Sequence, residues 1–266
     1  SLALQYRDFL VFDEPKTMDY SVTLAGYGGL ERLPDFQNVR ASFDKFLTLN
    51  GKVNYQYYLK SLGAVDDEKG VRWQIISFNT YVREKIFPRV LGILDYGILL
   101  PINHSSIWFR MSAGKSFRGR GDSFANFYFG GFGNNWVDYL SARRFREYYS
   151  FPGVELNEVG GTNYGKLLVE WALPPARFRR FGVSSLYCNW SQLTLFSTGL
   201  ITNVDSDELR RKLVDIGAQL DFRLVIFSIL ESTFSLGYAV AFEKERPPDK
   251  TDHWTNEFMI SLKLLK

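Results

Sequence analysis

The sequence predicts an all-β protein, and three observations carry that prediction. Phe, Tyr and Trp make up 17% of the 266 residues, and 22 glycines are spread along the chain. This composition favours strands and tight turns over helical bundles. The third observation is an alternation of apolar and polar residues in segments of about ten residues, which is the pattern of a strand with one apolar face.

The alternation is clearest towards the C-terminus. Between Lys212 and Phe222 one face is apolar and the other carries Asp215, Gln219 and Asp221. Together the alternating segments predict about twelve antiparallel strands, and an even number of strands places both chain ends on one side. The predicted strands are Leu2–Val11, Tyr20–Leu24, Val39–Leu49, Val53–Leu59, Val71–Val82, Val90–Leu99, Ile107–Ala113, Leu167–Leu173, Leu186–Trp190, Lys212–Phe222, Phe234–Phe242 and Phe258–Leu264.

The length and the polarity of these segments indicate a bilayer-spanning sheet. No apolar run approaches the roughly 18 residues that a transmembrane helix needs, which excludes a helical membrane protein. The polar faces carry Gly, Ala, Ser, Gln and single charges, whereas the outward face of a soluble β-sandwich is rich in Lys and Glu. We therefore predict one antiparallel transmembrane β-barrel over residues 1–266, with a soluble β-protein as the alternative.

The connections include one long segment. Asn50-Gly51 and Asn103-His104 are predicted as short turns, whereas the connection from about Phe117 to Asn163 is too long for an ordinary loop of a compact domain. Its centre is too apolar and glycine-rich for a solvated tail, so we predict that it folds back into the barrel lumen as a plug. The plug residues are Phe127, Gly130, Gly131, Gly133, Asn134, Asn135 and Trp136, and the facing wall residues are Glu170, Asn189, Asp215 and Asp221.

The net charge and the reactive side chains of the sequence argue against several classes of function. A net charge of +3, dispersed over the chain, gives no basis for nucleic-acid binding. One cysteine and two distant histidines provide neither a disulfide nor a metal cluster. The sequence has no Ser/His/Asp arrangement and no convincing carboxylate pair, so neither a cofactor nor an enzymatic activity is expected.

Several motifs in order give a family resemblance. Phe127-Tyr128-Phe129-Gly130-Gly131, then Val159-Gly160-Gly161-Thr162-Asn163, then Leu167 to Pro174, resemble the bacterial surface-antigen superfamily of BamA-like outer-membrane assembly factors. The resemblance covers about Ile107 to Lys266. It implies a barrel, of sixteen strands in the family, that inserts or translocates proteins at the bacterial outer membrane, through a weak seam between first and last strands.

The resemblance also implies partners. These are outer-membrane lipid and lipopolysaccharide, periplasmic or lipoprotein partners, and client outer-membrane proteins. Family barrels follow periplasmic domains, and we expect that upstream part to be absent from this chain.

Two departures from the family pattern concern a buried charge pair. Trp136 stands where the family's loop carries Arg, and Asn189 and Ser191 stand where its wall carries Asp and Gly. The sequence therefore predicts that both halves of the pair are missing, which favours an alternative function as a structural barrel that anchors a periplasmic domain or partner complex. Glu170 is retained, with either water or an unidentified cation as its partner. The candidate cations are Lys166, Arg110 and the arginines of Arg143–Arg146.

Overall fold

The computed structural model of the chain describes residues 1–29, 44–134, 137–138, 140–183, 185–244 and 253–264. It confirms the all-β prediction, with 69% of residues in strands and no α-helix in the described part. Two single-turn 3-10 helices occur, at Ser123–Ala125 and Arg144–Arg146. Within these ranges, none of the helical turns has the length or the hydropathy to cross a membrane.

The described residues form fifteen strands. They are β1 (Leu2–Asp13), β2 (Lys16–Tyr27), β3 (Phe46–Leu59), β4 (Lys69–Val82), β5 (Lys85–Leu99), β6 (Ser106–Ser116), β7 (Phe127–Phe129), β8 (Val137–Asp138), β9 (Val159–Gly161), β10 (Asn163–Ala172), β11 (Ala176–Val183), β12 (Leu186–Thr202), β13 (Arg211–Ile226), β14 (Leu230–Glu243) and β15 (Trp254–Leu264).

Thirteen of these strands share one sheet in the order β1-β2-β3-β4-β5-β6-β10-β12-β13-β14-β15-β8, with β11 paired to the first half of β12. Neighbouring strands are antiparallel, except that β8 adds a two-residue parallel pairing to β15. β7 and β9 form a separate two-stranded sheet. The described pairings leave β1 with a partner on one edge only, so they do not close the sheet into a barrel.

Eleven long strands cross the sheet instead of the predicted twelve. The difference arises in β3, where Asn50 and Gly51 lie in mid-strand, paired to β2 on one side and β4 on the other, and the predicted turn is wrong. Leu47, Leu49 and Val53 share one face across Gly51, so the alternation continues without a break. An odd count makes β1 and β15 run in the same direction. The turn at Asn103-His104 is confirmed between β5 and β6.

The sheet buries its polar face and exposes its apolar face. On β13, Val214 and Ile216 are 49% and 60% exposed, whereas Asp215 and Asp221 on the opposite face are at most 1% exposed. The other long strands from β4 to β15 repeat this arrangement, which is the reverse of that in a water-soluble sandwich. The segment that covers the polar face is the β6–β10 connection, residues 117–162.

Glycines on the covered face let aromatic rings pack against the sheet. A Cβ atom at Gly217 would lie 2.4 Å from the ring of Phe196, and one at Gly237 would lie 2.8 Å from the ring of Phe132. Phe132 belongs to the 117–162 segment and contacts Phe196 edge to face. Because these sheet positions are glycines without a side chain, they leave the space that the aromatic rings fill.

Candidate functional site

The candidate site is the contact between the polar face of the sheet and the segment 117–162, named here the plug segment. Its two-stranded β7–β9 sheet rests on β10, where Phe127 and Phe129 each contact Tyr164 edge to face, with ring centroids 5.0 and 4.6 Å apart. A backbone bridge between Gly131 and Phe151 ties the two halves of the segment together. The connection therefore folds back onto the polar face of the sheet, and its predicted place inside a barrel lumen stays a prediction.

Arg143 of the plug segment joins three parts of the protein. Its Nε atom donates to Asp221 on β13 at 2.8 Å, and its Nη2 atom donates to the side-chain oxygen of Gln192 on β12 at 2.6 Å. Its Nη1 atom donates to Asp66, in the β3–β4 connection, at 2.8 Å. Asp221 also accepts hydrogen bonds from Gln219 and Ser235, so its carboxylate is fully surrounded by donors.

Arg146, one turn further along, binds Glu170 on β10. Its Nε atom donates to the Glu170 carboxylate at 2.9 Å, and its Nη2 atom donates to Asp66 at 2.7 Å. Arg110 on β6 reaches the same Glu170 carboxylate at 3.0 Å. Glu170 is fully buried, and two of its predicted partners are confirmed, whereas Lys166 and an unpaired, hydrated carboxylate are wrong.

The network continues along the wall to β5. Arg110 lies 3.2 Å from Asp95, Arg72 lies 2.8 Å from it, and the Tyr58 hydroxyl donates to it at 3.1 Å. Four arginines and four carboxylates thus form one connected, charge-balanced network from β4 to β13. Buried charges are tolerated when each one has an opposite charge as its partner and further hydrogen bonds. The charged groups of this network meet both conditions.

Lys166 on β10 binds the backbone of the plug segment instead of a carboxylate. Its ammonium group donates to the carbonyl oxygens of Glu147 and Tyr148, at 2.8 and 3.3 Å, and to that of Ser150. These carbonyls follow the 3-10 turn that carries Arg146. Lys166 therefore fixes the chain directly after the two arginines.

Glu257 on β15 binds the plug segment from the other side. Its carboxylate accepts hydrogen bonds from the backbone N–H groups of Phe132 and Gly153, at 3.2 and 3.1 Å. Asn134 adds a side-chain bond to Ser261, also on β15, at 3.1 Å. The plug segment is thus held by β6, β10, β12, β13 and β15 together.

The glycines of the plug segment have different roles. Gly130, Gly131 and Gly133 all have positive φ angles, of 152°, 66° and 76°. Gly130 packs against the segment's own backbone, because a Cβ there would lie 1.9 Å from the carbonyl oxygen of Glu155. Gly131 faces the wall, with Glu257 3.4 Å from its Cβ position. Gly131 therefore lies close to the sheet, while Gly130 serves the fold of the loop itself.

The remaining predicted site residues are not all part of this network. Asn135 and Trp136 lie outside the described residues. Asn189 is half-buried at a bulge in β12, and Gln192, three positions further along that strand, binds Arg143 of the loop. Asp215 is buried on the covered face and accepts a hydrogen bond from the backbone N–H of Thr198 at 2.7 Å.

The predicted absence of the family's charge pair at Trp136 and Asn189 stays a prediction, because Trp136 lies outside the described residues. Other residues form a charge pair between the loop and the sheet: Arg143 and Arg146 supply the loop cations, and Asp221 and Glu170 supply the anions of the sheet. Asp66, which links both arginines, was missed because it lies in a connection whose neighbours in sequence look like solvated turn residues. The only signal was the spacing of two arginines three positions apart, which suits one face of a helical turn.

The chemistry of this arrangement favours holding over catalysis. Every charged group of the network is bonded to an opposite charge, which leaves none of them positioned as a free base or nucleophile. Among the residues that the structure describes, no group of three His, Cys, Asp or Glu side chains could hold a metal ion. The network is therefore best described as a lock between the plug segment and the sheet.

The lock is expected to weaken in acid. Burial alone raises the pKa of Asp66, but Arg146 and Arg143 outweigh it and hold that pKa well below its ordinary value. The charged Asp66 therefore stabilises the folded protein fully above the ordinary carboxyl pKa of about 4. This stabilisation is lost as the pH falls through the lowered pKa. Protection of residues 140–150 against hydrogen exchange, relative to the intrinsic exchange rate at each pH, should therefore decrease below about pH 4.

Asp66→Asn is the matched variant for this measurement. It should exchange faster than the unaltered protein at pH 7, and the difference between the two proteins should shrink as the pH falls through the lowered pKa of Asp66 and its carboxylate becomes protonated. A difference that persists unchanged at the lowest pH would mean that the Asp66 charge does not stabilise the lock.

Comparison with models of known protein families and with curated protein sequences found no match for this chain. The motifs between Phe127 and Pro174 are thus the basis on which the family resemblance stands.

Proposed function

We propose that this sheet is the wall of a transmembrane β-barrel in a bacterial outer membrane, with the plug segment in its lumen. The observation that carries the proposal is the inverted polarity of the sheet, in which buried carboxylates face the plug and large aliphatic and aromatic side chains face outward. In water each exposed apolar Å² costs about 25 cal/mol relative to burial, whereas hydrocarbon removes that cost. The long strands have 10 to 17 residues, enough to span a bilayer when tilted.

The connections give the proposed barrel an orientation. One end of the sheet carries the connections 28–45, 83–84, 117–162, 203–210 and 244–253, and is named here the loop end. The other, the turn end, carries 14–15, 60–68, 100–105, 173–175 and 227–229. Because outer-membrane barrels have short periplasmic turns and longer extracellular loops, the loop end is proposed to face the outside of the cell.

The proposed activity is insertion or translocation of proteins, as the surface-antigen resemblance implies. Two features support it. The plug segment is held by ion pairs and hydrogen bonds that can be broken and remade, and the edges of the sheet offer backbone groups for strand addition. Since β1 and β15 run in the same direction, one antiparallel strand of a client can pair with β1 and with the part of β15 that precedes its two-residue pairing to β8.

The second candidate function is a structural barrel that anchors a periplasmic domain or a partner complex. The balance of the network favours it, because four arginines and four carboxylates with mutual partners suit a plug that stays in place. Both candidates require the same barrel and differ in whether the plug moves.

Two experiments separate these proposals. The purified chain should insert into lipid vesicles, change its electrophoretic mobility on heating, and be protected by lipid from protease along its strands; a chain that remains fully soluble and digestible would contradict the barrel. Depletion in the native bacterium should then remove many other barrel proteins from the outer membrane. An unchanged outer-membrane proteome would contradict the assembly function and support the anchor.

A further inference from the structure

A second group of charged residues lies at the loop end, outside the lock. Arg210, Lys212 and Lys244, with Asp207, line a cavity of about 250 Å³ between the β12–β13 connection and the ends of β13 and β14. The backbone N–H of Lys244 donates to the carbonyl oxygen of Lys212 at 3.4 Å, so the two lysines are cross-strand neighbours. Both lysines are exposed.

The described residues that line the cavity carry an excess of positive charge. Asp207 pairs with Arg210 at 2.7 Å, and no carboxylate partner of either lysine occurs in the described part of the chain. Arg210 is held in place by a second bond to the Val204 carbonyl oxygen at 2.6 Å, while its buried Nε atom has no partner there. Like charges on directly opposed strand positions repel each other, so an anion between the two lysines stabilises this arrangement.

The position of the cavity indicates which anion. In the next row of the same face, two residues closer to the middle of the sheet, Val214, Phe242 and Trp254 lie side by side, each about half exposed. In the proposed membrane orientation this row contacts acyl chains, and Trp254 lies at the depth where interfacial aromatic residues are enriched. The lysines, one row beyond, then lie at the level of the lipid headgroups.

We propose that this cavity binds the phosphate group of an outer-leaflet lipid, whose acyl chains lie along the row of Val214, Phe242 and Trp254. Lipopolysaccharide has this chemistry, because its lipid part carries phosphates on a sugar headgroup directly above several acyl chains. Lysine ammonium groups are suited to phosphate as mobile point charges, and Arg210 adds a fixed donor. The inference rests on the proposed membrane location and adds a specific lipid ligand to it.

The test compares lipid binding by two double variants of the full chain in detergent. Lys212→Gln/Lys244→Gln removes both charges and keeps most of each side chain, and Lys16→Gln/Lys69→Gln makes the same change at the turn end. Titration with diphosphorylated lipid A, followed by native mass spectrometry, should give binding that is about tenfold weaker for the first variant and unchanged for the second. Lipid A without phosphates should bind weakly and equally to all three proteins.

Other outcomes would overturn the proposal. Equal affinity of the unaltered chain and the Lys212→Gln/Lys244→Gln variant would exclude the cavity as the site. Competition by millimolar inorganic phosphate alone would show an anion site with no preference for lipid. Insertion into vesicles, measured on the same variants, reports on the barrel separately, so a chain that inserts normally but lacks charge-dependent lipid binding contradicts only this inference.

Discussion

Arg143→Met is expected to release the plug segment from the wall and to destabilise the folded protein by roughly 3–5 kcal/mol. Arg143 is 6% exposed and binds Asp221, Gln192 and Asp66 at once. Its removal leaves the Asp221 carboxylate buried with neutral donors only, and an uncompensated buried charge is far more costly than a balanced pair. Urea unfolding in lipid vesicles measures the loss, and single-channel conductance reports the displaced plug.

The matched control is Arg120→Met, in the same segment. Arg120 pairs with Asp205, whose side chain is 60% exposed, and exposed pairs of this kind contribute about 0–1 kcal/mol. If Arg120→Met and Arg143→Met lower the free energy of unfolding equally, the buried Arg143 pair stabilises the protein no more than an exposed pair does. Arg143 would then not lock the plug segment to the sheet.

The double variant Arg143→Met/Asp221→Asn separates the pair from its surroundings. Removing both charges leaves no unpaired ion in the pair. The loss of unfolding free energy in the double variant should therefore be smaller than the sum of the two single losses, by about 0.5–3 kcal/mol. If the two single losses add up to the loss in the double variant, the Arg143–Asp221 pair makes no separate contribution. The effect of Arg143 would then come from its contacts with Asp66 and Gln192.

The fold was largely predictable from the sequence because alternation is a local property. In the segments Lys212–Phe222, Phe234–Phe242 and Phe258–Leu264 most large apolar residues fall on one face, and β13, β14 and β15 follow with the expected faces. The prediction failed where a turn signal conflicted with register. Asn50-Gly51 is a strong hairpin dipeptide, but pairing on both sides with β2 and β4 stabilises an extended chain there.

A similar conflict between a local signal and strand pairing occurs at Arg177 to Arg180. A basic run of this kind is common in solvated turns, whereas these residues lie in β11, which pairs with the part of β12 that extends beyond β10. Tertiary pairing again outweighs the local preference. The turn at Asn103-His104 was predicted correctly, since residues 100–105 connect β5 to β6.

The site was less predictable than the fold, because its contacts join residues distant in sequence. Glu170 and Asp221 were expected on the wall from alternation alone, but their partners at Arg143 and Arg146 depend on the path of the plug segment. Alignment to the family motif directed attention to Trp136 and Asn189 instead. A buried carboxylate requires a cation, and the sequence could not show which of several arginines supplies it.

Replacing Gly130 with Val is expected to displace the plug segment even more directly, with a loss of roughly 3 kcal/mol or more. The new Cβ would lie 1.9 Å from the carbonyl oxygen of Glu155, and the φ angle of 152° is one that L side chains rarely adopt. Gly130 also donates its backbone N–H to the carbonyl oxygen of Tyr149, which follows the lock arginines. A shift at Gly130 is therefore transmitted to Arg146, and conductance should rise together with the loss of stability.

Gly131→Val should act in the same direction, since its φ angle is 66° and its Cβ position lies 3.4 Å from Glu257. Gly119→Val is the control within the segment, because nothing lies within 4 Å of the Cβ position at Gly119. If all three variants retain the heat-modifiable mobility and the conductance of the unaltered protein, the plug segment tolerates displacement without opening the lumen. The segment would then cover the polar face without acting as a plug.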